Sequence, residues 1–488
     1  MKKITLFLLM FLPFIGFSQT YTTPNEGTSY TLEDIMQLSP TTISFDGTNY
    51  TLSEALVISE TDSLIIDQVL TLLIDPEILI DVHGTFISDA GDQEIIINAS
   101  DETAPYEGFW FYEESEVLIN NTNIQHGGGL KVITPDFTLT NSYLAHNVAG
   151  ASTGAVVSLS NGSPLIEGNT FILNDMPAVG SGANQNVSAR IIGNHIEFNG
   201  QANENRPQIN LGPTGTDTLQ IIQNTIIGDP TMIKVGGIAV SNFFGGEIRA
   251  IIDNNVIRDN RYGITIAGGN AFSYIRGNVI EDNNTQGIPL QGGSGISLNA
   301  SNDTQNIIAS DNEFRGNLWG ITLIDEASIN LGDDEDNPGG NIFSGNGNGG
   351  VTYALYNNTD NTIMAKHNCW TEEIDMTLEE AEEVIVHSVD DSSLGTVIFD
   401  PVSCASLGVN DVLLQEFVFV PNPAFNQISF LNTPKFNKLQ IFDLTGKLVK
   451  EQVLNPDLNE VSLELSSGLY IVQFSNGRLN LSKKLIVK

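Results

Sequence analysis

The stretch NTFILN at Asn169–Asn174 is followed, 25 residues on, by NHIEFN at Asn194–Asn199, and the two share one phrase: Asn, any residue, an apolar residue, two free positions, then Asn, Asp or His. The phrase recurs as NSYLAH at Asn141, NTIIGD at Asn224, NVIRDN at Asn255, NVIEDN at Asn278, NEFRGN at Asn312 and NIFSGN at Asn341. A looser copy, NTNIQH, opens the series at Asn121 with its apolar Ile124 one place late. Successive leading asparagines are 20, 28, 25, 30, 31, 23, 34 and 29 residues apart. A fixed phrase with irregular spacing predicts one repeated corner per unit and loops of variable length elsewhere. Short β-branched runs flank it, such as Arg190–Ile192, Gln220–Ile222 and Ala250–Ile252 before and Gly263–Ile266 and Gly320–Leu323 after. These read as strands of three to five residues. Asn tolerates a left-handed backbone better than other non-glycine residues, so Asn between strands predicts a sharp bend. No amphipathic helical segment interrupts the stretch, which excludes a β/α alternation.

Units of this kind stack at about 4.8 Å into long parallel sheets, with inward Ile, Val, Leu and Phe in columns. Phrases such as SPLIEGNTFILND and IIDNNVIRDNRYGITI resemble right-handed parallel β-helix repeats of the pectate-lyase-like superfamily, over about residues 70–404. The fold class is therefore all-β: a right-handed parallel β-helix solenoid followed by a small C-terminal β-sandwich. The division expected is a signal peptide at 1–18, an N-terminal cap at 19–67, the β-helix with a helix-and-strand cap at 68–405, a linker at 406–416 and a last domain at 417–488.

The chain is 488 residues long, 41% apolar, rich in Gly (46) and strongly acidic, at −39. Setting aside the two bases of residues 1–18 and the eight bases and seven acids of 411–488 leaves 10 basic and 52 acidic residues in 19–410, a net of −42. That surface repels nucleic acid and anionic lipid and disfavours polyanionic glycans unless divalent cations intervene. Lys2-Lys3, an apolar run from Ile4 to Phe17, and Phe17-Ser18-Gln19 form an export signal too short to span a bilayer, and no later segment reads as transmembrane. Thr31-Leu32-Glu33-Asp34 has the form of a capping box and predicts a helix from Leu32 to Leu38; Thr377-Leu378-Glu379-Glu380 opens a second helix in the closing cap. The two cysteines, Cys369 and Cys404, bracket that cap, and in an exported protein such a pair predicts a disulfide.

Three features invite chemistry. His126 and His146 share the last phrase position, so stacking places them about 5 Å apart, but with no third ligand they read as corner residues rather than a metal site. Asp333, Asp334 and Asp336, in a long insertion, supply the oxygens Ca²⁺ prefers, though a solvated acidic loop is the simpler explanation. Arg258, Arg276 and Arg315 recur at or near the fourth phrase position and predict an outward basic column able to hold a glycan, though surface charge balance is the simpler account since no acid–base partner is identified. The superfamily resemblance raises polysaccharide catalysis. Polygalacturonase-like enzymes would show Asn-Thr-Asp, Asp-Asp, Gly-His-Gly and Arg-Ile-Lys in order; here Asp333-Asp334 precedes Asn358-Thr359-Asp360 and the last two motifs are absent.

Beyond the linker, alternating strands resume, and the anchors Val420-Pro421-Asn422-Pro423, Ile441-Phe442-Asp443 with Gly446-Lys447, Gly468-Leu469-Tyr470 and Lys484-Leu485-Ile486-Val487-Lys488 resemble the type A sorting domain of the Bacteroidota type IX secretion system. The resemblance implies Sec export, transit through the periplasm and delivery outside the cell by the type IX machinery. The reading is then a secreted or cell-surface solenoid that binds a polysaccharide or another partner without cleaving it, the alternative being a polysaccharide lyase or glycoside hydrolase with a site of unfamiliar layout.

Overall fold

In the computed structural model, residues 20–372 and 376–404 are described throughout, and the C-terminal domain at 418–420, 424–431, 438–443, 447–454, 460–475 and 480–488. The expected signal peptide, the linker, and Pro421, Asn422, Pro423 and Gly446 of the sorting motif lie outside these residues. The chain divides into two compact units at residues 404 and 405.

The first unit is built from three sheets of 14, 14 and 13 strands, parallel except where Ile43–Phe45 pairs antiparallel with Tyr50–Leu52 in the third, and the chain visits them in turn, once per coil. One coil runs Gly108–Phe111 in the first sheet, Glu116–Asn120 in the second and Thr122–Gln125 in the third, and then returns to the first at Leu130–Val132. Register is kept coil after coil: Ile226 pairs with Ile257, Ile257 with Ile280, Ile280 with Phe314 and Phe314 with Phe343. Alternation within each strand sends these residues inward, where all five are buried. Each such burial contributes about 1.5–3 kcal/mol, and the stack turns many small increments into one continuous core. Toward the C-terminal end the column becomes aromatic, with Phe314, Phe343 and Trp370 stacked at centroid spacings of 4.8 and 4.7 Å.

Stacking starts earlier than the repeated phrase. Thr20–Thr22 already pairs with Ala55–Val57, and Ser29–Tyr30 with Ser63–Leu64, so residues placed by sequence in a separate cap are part of the sheets. The covering element is the helix Leu32–Leu38, closed by the Thr31–Asp34 capping box and burying Leu32 and Ile35. At the other end the helix Leu378–Glu382, with its Thr377–Glu380 capping box, and the strand Val397–Ile398 finish the stack. A disulfide between Cys369 and Cys404 ties them down. The second unit is a sandwich of three- and four-stranded antiparallel sheets around Ile428, Leu439, Ile441, Val461, Val472, Phe474 and Leu485.

Candidate functional site

The phrase that organises the solenoid proves to be a pair of side-chain ladders. At the corner between the second and third sheets, the Oδ1 of each asparagine accepts from the backbone N–H of its counterpart one coil earlier: Asn169 from Ser142 at 2.9 Å, Asn194 from Asn169 at 2.9 Å, then on through Asn224, Asn255, Asn278, Asn312 and Asn341 to Asn368. Each Nδ2 donates to a carbonyl of the preceding coil, as Asn194 does to Ile166 at 3.0 Å. These side chains are buried, and every polar atom has a partner, as burial of an amide requires. A second ladder runs along the corner between the third and first sheets through Asn147, Asn174, Asn199, Asn260, Asn283, Asn317 and Asn346. One coil there offers Asp229 in place of Asn, and Gln208, just before the strand Ile209–Leu211, fills the gap. Its Oε1 accepts from Asn199, and its Nε2 donates to Asn260.

Two expectations about the phrase are corrected. The left-handed residue is the one before each ladder position: Gly168, Gly193, Gln223, Asn254, Gly277, Asp311 and Gly340 have positive φ, whereas the ladder asparagines do not. In the first two copies Asn121 and Asn141 occupy that left-handed position, and Thr122 and Ser142 take the ladder place, so these copies are read one residue late. His126 and His146 likewise sit at the left-handed position, with φ of 53° and 55°, and not in the ladder. Their rings stack at 5.2 Å, and the Nδ1 of His126 lies 2.9 Å from the Asn98 Oδ1. Burial lowers the pKa of His126, against a raising influence from Glu102.

The basic column is also corrected. Arg258 and Arg315 share a column on the third sheet, but Glu281 stands between them in register, and Arg276 is on the second sheet. Each is paired: Arg258 with Asp259 at 3.1 Å, Arg276 with Asp253 at 3.3 Å, and Arg315 with Glu313 and Glu372 at 2.9 and 2.5 Å. The acidic loop holds no convergent carboxylates. The Oδ1 of Asp333 accepts from the backbone N–H groups of Glu335, Asp336 and Asn337, which with Asn330 holds its pKa down at about 2. Asp334 pairs with Lys366 and His367. Among the described residues no three His, Cys, Asp or Glu side chains are grouped as metal ligands.

Chemistry-bearing side chains gather instead on the outward face of the first sheet. Asp81, Trp110 and Lys131 are consecutive partners across three strands, and His83 and Tyr112 lie two residues further along the first two. The His83 and Tyr112 rings stack at 3.9 Å, Trp110 and Tyr112 at 5.2 Å, and the Lys131 Nζ sits 3.7 Å over the Trp110 ring. Lys131 has no carboxylate partner among the described residues, as is also true of Arg190, Lys234 and Arg261. Burial pushes the Asp81 carboxyl up, against the His83 charge and the Tyr112 hydroxyl; the Tyr112 phenol is raised by burial and then by Asp81. The Asp81 Oδ1 and the Trp110 Nε1 are buried with no protein partner.

From Lys131 the same outward column continues through Ser158, Gly180, Asn210, Ala239, Thr265 and Ser297, a floor of small side chains, to Thr322 and Tyr356. There Trp319, Tyr353 and Tyr356 form a second aromatic cluster at centroid distances of 4.5 and 5.5 Å, with the Trp319 Nε1 donating to the Pro289 carbonyl. Trp110 and Trp319 are eight strands apart in the sheet, about 40 Å at the usual spacing. Loops on both flanks carry exposed apolar side chains: Ile233 and Leu290 before the strands, Phe243 and Phe244 after them. Sequence reading missed this face because its residues are 21 to 34 positions apart across loops of unequal length. The signal present was the matching alternation of Asp81-Val82-His83 and Trp110-Phe111-Tyr112.

No curated protein matches the sequence. A crystal structure of a mutant periplasmic alginate epimerase superposes with a TM-score of 0.46 at 12% identity, covering 77% of this chain and 83% of that one. The receptor-binding domain of the siphovirus 9NA tailspike gives 0.23 at 10% identity, covering 96% and 89%. Residues 418–488 match the secretion system C-terminal sorting domain, and the described part retains Gly468, Lys484, Lys488 and Tyr470, whose hydroxyl donates to the Ser466 carbonyl at 2.9 Å. No helix among the described residues is long and apolar enough to cross a membrane. With three stacked parallel sheets ahead of that tail, the chain is a right-handed parallel β-helix protein bearing a type IX secretion sorting domain, destined for the cell surface or the medium.

Proposed function

We propose that the solenoid binds a linear glycan along the outward face of its first sheet, without cleaving it. The observation that carries this reading is the pair of aromatic clusters, around Trp110 and around Trp319, joined by a floor of small side chains on one face. Aromatic rings stack on the apolar faces of sugars, while a floor of Ser, Gly, Asn, Ala and Thr leaves room for the chain between them and offers hydroxyl and amide partners. The two clusters are far enough apart that a short oligosaccharide reaches one and a long one reaches both. A polymer should therefore bind more tightly than its fragments through effective concentration alone.

The test is calorimetry of the full-length secreted chain against plant and algal polysaccharides and their oligomers. Trp110→Ala and Trp319→Ala should each weaken polymer binding at least tenfold. Binding unchanged in both variants overturns the reading.

One observation favours the second reading, a polysaccharide lyase or hydrolase. Asp81, His83, Tyr112 and Lys131 place carboxyl, imidazole, phenol and ammonium groups side by side on the same face. Release of unsaturated or reducing ends by the wild type, abolished by His83→Ala, would establish it in place of simple binding.

A further inference from the structure

The central outward column of the second sheet is apolar apart from Thr138, Arg190, Gln220 and Asn330. It holds Leu118, Leu165, Ile251, Tyr274, Ile308 and Met364, outward in register and none of them buried; Tyr274 is 51% exposed. On a unit carrying −42 overall, the outward strand positions of this face bear three acids, Glu116, Glu167 and Asp253, and three bases, Arg190, Arg249 and Arg276. The acids at Glu116 and Glu167 precede Arg190 in the stack, and the bases at Arg249 and Arg276 follow it. A large neutral, mostly apolar face on an acidic, exported rod calls for a partner.

We propose that the partner is a second copy of this chain, packed face to face about a two-fold axis that runs along the strands, midway between Leu165–Glu167 and Arg190–Ile192. The order of residues along the sheet carries the argument. Counting strands outward from that axis in both directions, Leu165 meets Arg190 of the other copy, Thr138 meets Gln220, Leu118 meets Ile251, and Ile87 meets Tyr274. Beyond the Leu165–Arg190 contact beside the axis, apolar side chains fall on apolar ones and polar on polar. Glu116 falls on Arg249, which already pairs with Glu247 of its own copy, because both stand two residues before the central position, and Glu167 lies diagonal to Arg190. With both rods pointing the same way and the axis along them, each strand would face its own copy, and Arg190, at the central position, would fall on Arg190. The two-fold overlaps twelve strands of each copy, about 58 Å by about 14 Å or roughly 800 Å² per partner, which is the standard size for a stable interface.

The test uses the full-length chain with Ile87→Cys and Tyr274→Cys, singly and together. Within one chain the two positions lie on strands seven steps apart, about 34 Å, so they cannot bridge internally. Among the described residues the native cysteines are already paired and do not compete. Sedimentation of the wild type should show twice the chain mass, Tyr274→Lys should weaken association at least tenfold with an unchanged thermal transition, and mild oxidation should cross-link the double-cysteine variant but neither single one. A wild type that stays monomeric, a double variant that does not cross-link, or single variants that cross-link as well as the double one would each overturn the two-fold. A monomer that binds a different protein through this face overturns it too.

Discussion

Replacing Asn255 by Ala removes one rung from the middle of the corner ladder. The side chain is fully buried, and its Oδ1 accepts from the backbone N–H of Asn224 at 2.9 Å and from the Asn224 Nδ2 at 3.0 Å. Its Nδ2 donates to the Ile221 carbonyl at 2.8 Å and to the Asn278 Oδ1 at 2.9 Å. The Asn224 Nδ2 keeps its bonds to Ile191 and Ile222, and the Asn278 Oδ1 keeps the Asn255 backbone N–H, so these two are not orphaned. The Asn224 N–H and the Ile221 carbonyl lose the partner the ladder provides. At about 1–3 kcal/mol for each buried unsatisfied group, Asn255→Ala should cost about 4 kcal/mol. Asn255→Ser should cost about half as much, since serine retains an acceptor for the N–H. Ser142 already serves this way, its Oγ accepting from the Thr122 N–H at 3.1 Å and donating to the Thr140 carbonyl at 2.8 Å. Urea unfolding followed by circular dichroism gives the total. Amide exchange locates it, with protection lost first at Asn224, because a stacked repeat opens locally. A cost below about 1 kcal/mol for the alanine variant, or an Asn224 amide that exchanges as slowly as before, would refute the claim that the ladder holds the corner.

Three further perturbations follow from the same geometry. Reducing the Cys369–Cys404 disulfide, which closes a 35-residue separation, should lower the stability of the closing coils by about 4 kcal/mol in the chain-entropy treatment, read as a shift in the urea midpoint on adding reductant. Asp333 has a folded pKa of about 2, below its ordinary value of 3.8, so its contribution is full above about pH 4 and is lost as pH falls through about 2. Because the group is only half-buried, solvent screening reduces that contribution to about 1 kcal/mol or less, and Asp333→Asn should flatten the acid limb of the stability profile between pH 4 and 2 by that amount. Gly128→Ala places a methyl group 1.8 Å from the Glu107 carbonyl oxygen, a backbone atom that cannot swing aside, and should lower the melting temperature by several degrees.

The solenoid was legible because its phrase marks a physical requirement: a buried amide with both ends satisfied recurs wherever the coil turns. The exact register was less legible. Ser142 and Thr122 stand in for asparagine with hydroxyls, while Asn121 and Asn141 occupy the adjacent left-handed position, which favours the same residue type for a different reason. Arg276 was misplaced because two residues in sequence, from Arg276 to Asn278, carry the chain around a corner and onto another sheet. The aromatic face lay beyond local pattern altogether. Trp110 and Lys131 become neighbours only when the loop between them is counted out of the register, and no short motif records its length.

Gln208 shows how such a rod can change without coming apart. Its amide reaches from just before the strand Ile209–Leu211 into the place that Asp229 leaves vacant, so continuity of the inner thread does not require every coil to spell its own link. A coil can then lose its signature, or lengthen the excursion beside it, while the spine stays unbroken. Variation is channelled to the flanks of the first sheet, where the apolar loop tips stand, and recognition can be rewritten there independently of folding.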